Sequence, residues 1–383
     1  HIRSSLVACL RFSSFGHGNS DSNDKLIEQY ARIEPQRMHL NAALEFGCEV
    51  NPTKLIQSAK FVRKELPVRL ARSIRSFQTL PYIVCINPHV NYVYNKFCDA
   101  FQVFSSVEPI TNLEQEKEFT YTLTRVFQDT SEVVTRLSAG IKEIRQLPAS
   151  LGINYHYLDL FIDNFLLQRT SRRVLAEYHM GLHTHRPNWI GVFHMQTCPK
   201  DIITRVMPIA QETCLTLFGV YPPYEVVGDV DATFPYVPVH LEYILLELFK
   251  NALRAVVERH PRTRLPPVIV RICGGSNMTI MIQDMGGGID VDAMKSIWSY
   301  GYTTFEPHGA GSAWLDFTKA QQASNMTANQ FAGYGFGLPT CRVYSRYLGG
   351  DVDIVTMPGY GTDVYVQLKP VDKQDLQEKL FFC

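Results

Sequence analysis

Three short motifs in the second half of the chain limit its fold more than any other feature of the sequence. They read ELFKNA at 247–252, DMGGGI at 284–289 and GYGFGLP at 333–339. The first lies in a helical pattern, the second ends a β-rich run, and the third precedes another helical pattern. Acidic and amide side chains together with glycine-rich backbone, in this order, predict a pocket for a nucleotide and its metal ion.

The first motif belongs to a predicted helix, because apolar residues recur at helical spacing over 241–255. Its polar residues share another face at spacings of three and four: Glu247, Lys250, Asn251 and Arg254. A carboxylate, an amide oxygen and cations on one stripe suit a Mg²⁺–phosphate group. An ordinary amphipathic helix with a solvated charged face is the alternative, and the helix alone does not decide between the two.

The second motif follows a predicted hairpin formed by two β-rich runs, 268–273 and 278–284. Asp284 is the polar end of the second strand, and glycines including Gly286 and Gly288 follow it. A carboxylate here can accept a hydrogen bond from the exocyclic amine of a purine, and glycine lets backbone approach a flat base. A turn capped by aspartate is the alternative interpretation.

The third motif is a glycine-rich loop before a helical run at 340–347. Such backbone at a helix N-terminus binds phosphate through its N–H groups and the helix dipole. It lacks the strand–turn context and acidic partner of the dinucleotide-binding fingerprint. The predicted phosphate-binding residues are Gly333, Tyr334, Gly335, Phe336, Gly337 and Leu338.

The first half of the chain carries long helical patterns with short connections, which predict an antiparallel bundle over 38–183. These patterns cover 55–77, read as two helices joined near Pro67, then 91–104, 114–147 and 158–183. A linker is expected at 184–188, and short strands then alternate with helices through 189–372, with a second hairpin at 352–356 and 362–368. The unpatterned stretch from Tyr302 to Gly333 is expected to be a nucleotide lid.

Composition excludes several classes of protein. The formal net charge is zero, so the chain is not expected to bind nucleic acid electrostatically, and no apolar run approaches the ~20 residues of a membrane span. Nine scattered cysteines without a CxxC pair favour a reducing compartment and argue against a disulfide framework or a zinc site. Residues 1–37 are expected to be transit-peptide-like or disordered, and because residue 1 is His, the true start could be missing.

The order of the three motifs resembles that of the GHKL ATPases. Within that superfamily, ELFKNALRA at 247–255 and GYGFGLP at 333–339 are similar to motifs of the mitochondrial kinases that phosphorylate 2-oxo acid dehydrogenase complexes. The resemblance extends from about 55 to 368 and is strongest to the branched-chain kinases, with the pyruvate dehydrogenase kinases next. It implies an α+β fold: an N-terminal four-helix bundle followed by a GHKL (Bergerat-type) α/β sandwich that binds ATP.

The resemblance also implies roles for the motif residues. Glu247 matches the general base that activates the substrate serine in the family. Asn251 matches the Mg²⁺ ligand, and Asp284 matches the carboxylate that binds adenine. Thr303 and Thr304 match a Thr-Thr pair beside the nucleotide. Backbone carbonyls are expected to bind K⁺ at the positions matching the branched-chain enzyme, Ile297, Ser299 and Tyr302.

Arginines of the last bundle helix face an allosteric pocket for 2-oxo acids in the family. Arg169 and Arg173 lie four residues apart, so one carboxylate ligand could bind both, and Arg172 lies beside them. A solvated basic face is the alternative. The expected partners are the decarboxylase component and lipoyl domain of a 2-oxo acid dehydrogenase complex in the mitochondrial matrix, together with a second copy of the chain as a homodimer.

The sequence departs from the family at informative positions. Thr130 replaces a usual His before an acid-Val-Val run, which disfavours a histidine kinase, and Tyr243 stands where the pyruvate dehydrogenase kinases carry His. The tail at 373–383 lacks an Asp-Trp pair of those kinases. The expected function is therefore a protein serine kinase, with the branched-chain complex favoured. The alternatives are a pyruvate dehydrogenase kinase, a non-catalytic ATP-binding scaffold and a histidine-kinase-like enzyme.

Overall fold

The computed structural model describes residues 20–36, 38–304, 335–370 and 380–381. The chain divides into two compact units. The first contains 1–186, 190–192 and 380–383, and the second contains 187–189 and 193–379. The predicted lid from 305 onward and the phosphate-loop residues Gly333 and Tyr334 lie outside the described residues.

The first unit is helical. Its helices are α1 (Ser20–Ala31), α2 (Leu40–Cys48), α3 (Pro52–Gln78), α4 (Tyr82–Cys85), α5 (Pro88–Ser105), α6 (Leu113–Asp129), α7 (Val133–Arg145) and α8 (Tyr155–Gly181). Two short strands, β1 (Met38–His39) and β10 (Leu380–Phe381), pair antiparallel. A further short strand, β2 (Trp189–Ile190), follows the last helix at the sequence boundary between the units, with Trp189 assigned to the second unit and Ile190 to the first.

The long helices form the predicted four-helix bundle, with α6 and α7 together as one of its four members. Asparagine caps start four of these helices: the side chain of Asn51, for example, accepts a hydrogen bond from the backbone N–H of Lys54 at 2.9 Å. Aromatic rings fill the core, where Phe77 packs edge-on against Phe161 and Phe165 at centroid distances of 5.1 and 5.7 Å.

Helix α3 corrects the prediction of two helices joined near Pro67, because it runs unbroken from Pro52 to Gln78. A proline inside a helix removes a backbone hydrogen bond and costs about 3 kcal/mol. Leu66 and Val68 beside it are buried, and burying such side chains contributes about 1.5–3 kcal/mol each. Packing on the rest of the bundle therefore offsets the local preference for a break.

The predicted helix over 114–147 is instead two helices, since α6 ends at Asp129 and α7 begins at Val133. The Thr130 hydroxyl donates to the backbone carbonyl of Val126 at 2.9 Å. Hydroxyl side chains that bond to nearby backbone compete with continued helix, and Ser131 follows directly. Thr130 thus stands at the break in the third member of the bundle.

Residues 20–31 of the N-terminal stretch form a helix and not the disordered segment expected there, whereas the transit-peptide-like character of the stretch stays a prediction. Within α1, Ile27 is buried and the ring of Tyr30 packs edge-on against Phe101 at 5.5 Å. Residues 20–31 therefore belong to the packed helical unit, because they carry apolar side chains that bury against α3 and α5.

The second unit combines a sheet with a layer of helices. Its elements are β3 (Phe193–Thr197), α9 (Pro199–Phe218), β4 (Tyr224–Gly228), β5 (Phe234–Tyr236), α10 (Pro238–Arg259), β6 (Val268–Cys273), β7 (Met278–Asp284), α11 (Val291–Met294), α12 (Gly337–Tyr347), β8 (Asp351–Met357) and β9 (Gly361–Leu368). The larger sheet has the order β4-β6-β7-β9-β8, in which β4 and β6 are parallel and the other pairs antiparallel.

Both predicted hairpins are confirmed, and β6 and β7 have the predicted bounds. Met278, Ile280 and Ile282 are buried at alternate positions of β7, where α10 packs against the strand. The same alternation brings Asp284, the last residue of β7, to the buried face. In this way the sheet positions the carboxylate beside α10.

Candidate nucleotide site

Helix α10 begins with Pro238 in its first turn, where the missing N–H costs no helical bond. It carries the predicted acid and cations of the first motif. Glu247 is buried, with 4% of its surface exposed, and its Oε1 is paired with the ammonium of Lys250 three residues on. Asn251 is exposed beside this pair. The helix thus places the buried, ion-paired carboxylate of Glu247 next to the exposed amide of Asn251.

The glycine loop lies directly against this carboxylate. A Cβ added at Gly337 would lie 2.5 Å from Glu247 Oε2, which is closer than real side chains approach. Gly337 is also the first residue of α12, and its N-cap residue, Phe336, makes no side-chain capping bond. Phe336 therefore leaves the backbone N–H groups of this first turn uncapped by its own side chain, as expected where a helix N-terminus binds an anion.

Asp284 is another buried carboxylate of this unit. Its Oδ1 accepts a hydrogen bond from the backbone N–H of Gly286 at 2.8 Å. Burial raises the pKa of Asp284 to about 6, although backbone hydrogen bonds from Gly286 and Thr362 act in the opposite direction. The backbone donors thus stabilise the charged carboxylate of Asp284 only in part, and it can accept a further hydrogen bond from a ligand.

Glycine is required in the second motif because neighbouring backbone lies too close for a side chain. A Cβ at Gly286 would lie 2.3 Å from the Cβ of Ala255 on α10, so the first and second motifs are in direct contact. Gly288 has a φ of +74°, and a Cβ there would lie 2.3 Å from the carbonyl oxygen of Met357. This loop is therefore held between α10 and the β8–β9 turn.

Arg254 connects α10 to the start of the predicted lid. Its Nη2 donates to Thr304 Oγ1 at 2.9 Å, while its Nε donates to Glu258 at 2.8 Å. The predicted Thr303–Thr304 pair therefore lies beside the first motif. Among the predicted cations, Lys250 binds the buried acid and Arg254 binds the threonine.

The described part of the third motif packs against the segment before the lid. The backbone N–H of Gly301 donates to Gly335 O at 3.1 Å, and a Cβ at Gly335 would lie 2.4 Å from Tyr302 O. Phe336 is fully buried, with its ring 4.9 Å from that of Tyr300. Phe336 therefore anchors the loop through its side chain, which leaves only its backbone for a ligand.

The predicted K⁺ ligands lie in the same segment. The Ser299 carbonyl accepts from the Tyr302 N–H at 3.3 Å, and the Tyr302 carbonyl faces Gly335. Ile297 is buried. A carbonyl oxygen can accept a second partner, so these contacts leave the K⁺ hypothesis open as a prediction.

The donor set fits ATP with Mg²⁺. Mg²⁺ takes few protein oxygens and leaves other positions to water and phosphate, which suits one exposed amide and a carboxylate on α10. Because Gly337 has no side chain, the space between Glu247 and the start of α12 is open to a phosphate group.

Sequence reasoning missed Ala255, Thr362 and Thr356 as supporting residues. The role of Thr362 follows only from the strand register, which places it opposite Asp284. The Thr356 hydroxyl accepts a hydrogen bond from the Ile289 N–H at 2.7 Å.

A second candidate site lies within the helical unit. Arg169, Arg172 and Arg173 line one cavity of about 40 Å³ together with Thr130 and apolar side chains. Arg173 pairs with Glu177 at 2.5 Å. Arg172 is buried and stacks its guanidinium 4.7 Å from the Phe97 ring centre, and burial together with Arg169 lowers its pKa to about 9. The predicted Arg169–Arg173 pair therefore shares a cavity, and the substituted Thr130 lies in its wall.

Tyr243, the other departure from the family pattern, is buried one turn before Glu247. Its ring packs edge-on against Tyr344 of α12 at 5.0 Å. Burial and then the charge of Glu247 raise the pKa of Tyr243 well above its ordinary value of 10. The residue therefore stays neutral and connects α10 to α12 by packing.

Known proteins resemble this chain over nearly its whole length. The family model for mitochondrial branched-chain alpha-ketoacid dehydrogenase kinase matches residues 37–194, and that for histidine kinase-, DNA gyrase B- and HSP90-like ATPases matches 236–372. A mitochondrial [pyruvate dehydrogenase (acetyl-transferring)] kinase of Arabidopsis thaliana is 33% identical over 92% of this chain and 95% of its own length. The chain belongs to the mitochondrial 2-oxo acid dehydrogenase kinase family.

Two further relatives from Rattus norvegicus match over a similar share of the chain. Isozyme 4 of the mitochondrial pyruvate dehydrogenase kinase of Rattus norvegicus is 28% identical over 94% of this chain and 87% of its own. Isozyme 1 of the same organism is 27% identical over 92% and 81%. As a family member with a GHKL ATPase unit, the chain is an ATP-dependent kinase. Among the described helices of this kinase, none is long and apolar enough to cross a membrane.

Proposed function

We propose that this kinase transfers the γ-phosphoryl group of ATP to a serine of the decarboxylase component of a 2-oxo acid dehydrogenase complex in the mitochondrial matrix, and thereby inactivates it. The observation that carries the proposal is the contact between Glu247 and Gly337, which brings a buried carboxylate to the start of the phosphate-binding helix. Phosphoryl transfer depends mainly on positioning and charge neutralisation, so this juxtaposition is the one that the reaction needs.

Glu247 is proposed to accept the proton of the substrate serine as its oxygen attacks phosphorus. A positioned general base contributes about 10²–10⁴-fold to such a step. The Lys250 ammonium binds Oε1 and fixes the orientation of the carboxylate. Oε2 faces Gly337, which is the side where the phosphate loop lies, and is therefore the proposed proton acceptor.

Asn251 is proposed to hold Mg²⁺, which when bound neutralises charge on the ATP phosphates. Its amide is exposed four residues after Glu247, on the same helix face. The backbone from Gly335 to Leu338 would donate to the phosphates at the start of α12, with Gly333 and Tyr334 completing the loop. K⁺ at the carbonyls of Ile297, Ser299 and Tyr302 is a further proposal for stabilising the segment that leads to the lid.

Asp284 is proposed to accept a hydrogen bond from the adenine amine. Its carboxylate is buried at the end of β7 and already oriented by the Gly286 N–H. Gly286 and Gly288 leave the adjoining backbone without side chains, so a flat base can approach. Thr303 and Thr304 would line the nucleotide from the lid side, with Thr304 fixed by Arg254.

The branched-chain complex is the preferred substrate in this proposal. It is supported by Tyr243 before the proposed base, by the Tyr302–Thr303–Thr304 sequence and by the run at 347–350, all of which resemble the branched-chain kinases. The pyruvate complex is the second candidate, favoured by the names of the Arabidopsis and rat relatives. These residues report ancestry, so the preference rests on resemblance to the branched-chain kinases.

The test gives the purified kinase γ-labelled ATP and equal concentrations of the two decarboxylase components, then compares initial rates and maps the phosphorylated residue. Faster labelling of the branched-chain component on serine supports the proposal, whereas faster labelling of the pyruvate component overturns the preference alone. Acid-labile phosphate would indicate a histidine kinase. Nucleotide binding with no transfer to either component would indicate a scaffold that docks on a lipoyl domain.

Regulation by a 2-oxo acid is proposed at the arginine-lined cavity. A branched 2-oxo acid is larger than the cavity of about 40 Å³, which has room for roughly three waters at ~10–15 Å³ each, so the Arg173–Glu177 pair would open to admit it. Inhibition of the wild type but not of Arg173→Ala supports this proposal. Arg32→Ala is the matched control because Arg32 forms a similar ion pair with Glu28 on an exposed surface. Equal inhibition of wild type and Arg173→Ala would show that Arg173 does not bind the 2-oxo acid.

Formation of a homodimer is a separate proposal, which is tested by measuring the mass of the protein in solution by light scattering.

A further inference from the structure

The helical unit contains a cluster of metal-ligating side chains that the proposed kinase reaction does not use. Glu116 lies on α6, His179 lies in the last turn of α8, and His183 follows four residues later in the turn after that helix. Glu116 and His179 are fully buried, whereas 26% of the His183 side chain is exposed. One ligand atom from each residue lies within 4.8 Å of the others, so all three could bind one ion.

The two distances from Glu116 to the histidines are close to those between ligands of a tetrahedral ion. Glu116 Oε1 lies 2.8 Å from His183 Nε2 and 3.2 Å from His179 Nε2. Ligands bonded at 2.0–2.1 Å to a tetrahedral Zn²⁺ lie about 3.3 Å apart, so the side chains need only small shifts to coordinate one. His179 and His183 have the four-residue spacing of the two histidines in a helical Zn²⁺ motif, but His183 lies in the turn just after α8.

The hydrogen bonds and ion pairs of Glu116 satisfy only one of its two carboxylate oxygens. Its Oε2 is buried and has no hydrogen-bond partner among the residues that the structure describes. Within the described parts of the chain, its ion pairs are with these histidines. A buried carboxylate without full compensation is costly, whereas a divalent ion bound between Glu116 and the histidines would satisfy it.

The surrounding hydrogen bonds orient the histidine as a metal site requires. His179 Nδ1 lies 2.9 Å from Ser58 Oγ on α3, so the outer nitrogen has a partner while Nε2 points to Glu116. Metal-binding histidines commonly have such a bond on the other ring nitrogen, which fixes the tautomer. Thr120 Oγ1 lies 3.0 Å from both Glu116 Oε1 and His179 Nε2 and would have to turn away or join the coordination shell.

We propose that Glu116, His179 and His183 form a Zn²⁺-binding site that ties α6 to α8, with a fourth position open on the exposed side of His183. Imidazole nitrogens with one carboxylate favour Zn²⁺ over Mg²⁺, which prefers oxygen ligands. The cysteine pattern does not bear on this site, because none of its ligands is a cysteine. The proposal is independent of the kinase reaction and adds a metal site to the helical unit.

The test uses the full chain after treatment with a chelator and measures Zn²⁺ binding by competition with a chromophoric chelator, with the stoichiometry from elemental mass spectrometry. We expect one tight site per chain. His183→Gln should weaken binding at least tenfold, because it removes a partly exposed ligand without opening the core. His156→Gln, an exposed histidine near the other end of α8, should bind Zn²⁺ as the wild type does.

Co²⁺ provides the second readout, since tetrahedral coordination gives a characteristic visible absorption. The band should appear in the wild type and in His156→Gln and be lost in His183→Gln. Zn²⁺ should also raise the melting temperature of the wild type but not of His183→Gln. Absence of a stoichiometric site, or Zn²⁺ binding that His183→Gln leaves unchanged, would overturn the proposal. Glu116→Gln, if it folds, should behave as His183→Gln does, and unaltered binding would equally contradict it.

Discussion

Two buried carboxylates among the described residues of the second unit, Glu247 and Asp284, have different surroundings. Asp284, at the end of β7, accepts hydrogen bonds from neutral backbone groups, and burial raises its pKa to about 6. Glu247, in the middle of α10, is paired with the ammonium of Lys250 and lies against the glycine loop. This difference suggests a division of labour in which Asp284 binds the base of the nucleotide and Glu247 takes part in the transfer step.

The largest effect is expected from Glu247→Gln. Glutamine keeps the shape and can still accept a hydrogen bond, but it cannot take the serine proton, so the phosphotransfer rate should fall about 10²–10⁴-fold. The rate is measured with labelled ATP and a decarboxylase component. Glu242→Gln is the control, because Glu242 lies on the same helix and pairs with Arg205 instead. A wild-type rate for Glu247→Gln would exclude this residue as the base.

Asp284→Asn should stabilise the nucleotide-free protein at neutral pH. The pKa of Asp284 is raised from 3.8 to about 6, so the folded state binds more protons than the unfolded state between these values, and stability falls as pH rises through this window. Asparagine removes that loss, which amounts to about 3 kcal/mol above pH 6.

Chemical denaturation at pH 4 and pH 7 tests this prediction. The advantage of Asp284→Asn over wild type should be small at pH 4 and should grow toward pH 7. Asp353→Asn, at an exposed position of β8, should show no such growth. A stability difference independent of pH would show that burial does not cost the Asp284 carboxylate as proposed.

Asp284→Ala should weaken ATP binding. Loss of a hydrogen bond to a charged acceptor costs about 1.5–3 kcal/mol, which corresponds to roughly a 10–150-fold higher Kd. In the wild type, ATP affinity should fall as pH drops below about 6, because protonation removes the charged acceptor. Calorimetry at several pH values measures both effects, and an unchanged Kd in Asp284→Ala would refute the adenine assignment.

The smallest effect is expected from Thr304→Val, which removes the acceptor for Arg254 at the entry to the lid. A hydrogen bond at an exposed site contributes about 0.5–1.5 kcal/mol, so the KM for ATP should rise by a few fold. Thr216→Val, an exposed threonine whose hydroxyl bonds within α9, is the control for the substitution itself. A rise in KM that is equal in both variants would leave Thr304 without a role.

The sequence was sufficient where structure depends on local pattern. Alternating apolar residues and a glycine turn predicted the hairpin of β6 and β7, and therefore placed Asp284 at a strand end. The first motif placed Glu247 and Lys250 on one helix face, where they pair. In each of these cases the residues that determine the geometry lie within a few positions of one another.

The sequence was insufficient where the structure depends on packing between residues that are far apart in the chain. Pro67 predicted a break, but burial of the neighbouring Leu66 keeps α3 continuous. The spacing of His179 and His183 is visible in the sequence, yet their contact with Glu116 depends on how α6 packs against α8. The approach of Gly337 to Glu247 likewise depends on the packing of α12 against α10.

The division of labour is tested most directly by measuring the ATP Kd and the single-turnover rate of phosphoryl transfer at saturating ATP for Glu247→Gln and Asp284→Ala in parallel. The account predicts that Glu247→Gln lowers only the rate, and that Asp284→Ala raises only the Kd and recovers a rate within a few fold of wild type. If both substitutions change the Kd and the saturated rate to the same degree, the two carboxylates do not have separate tasks.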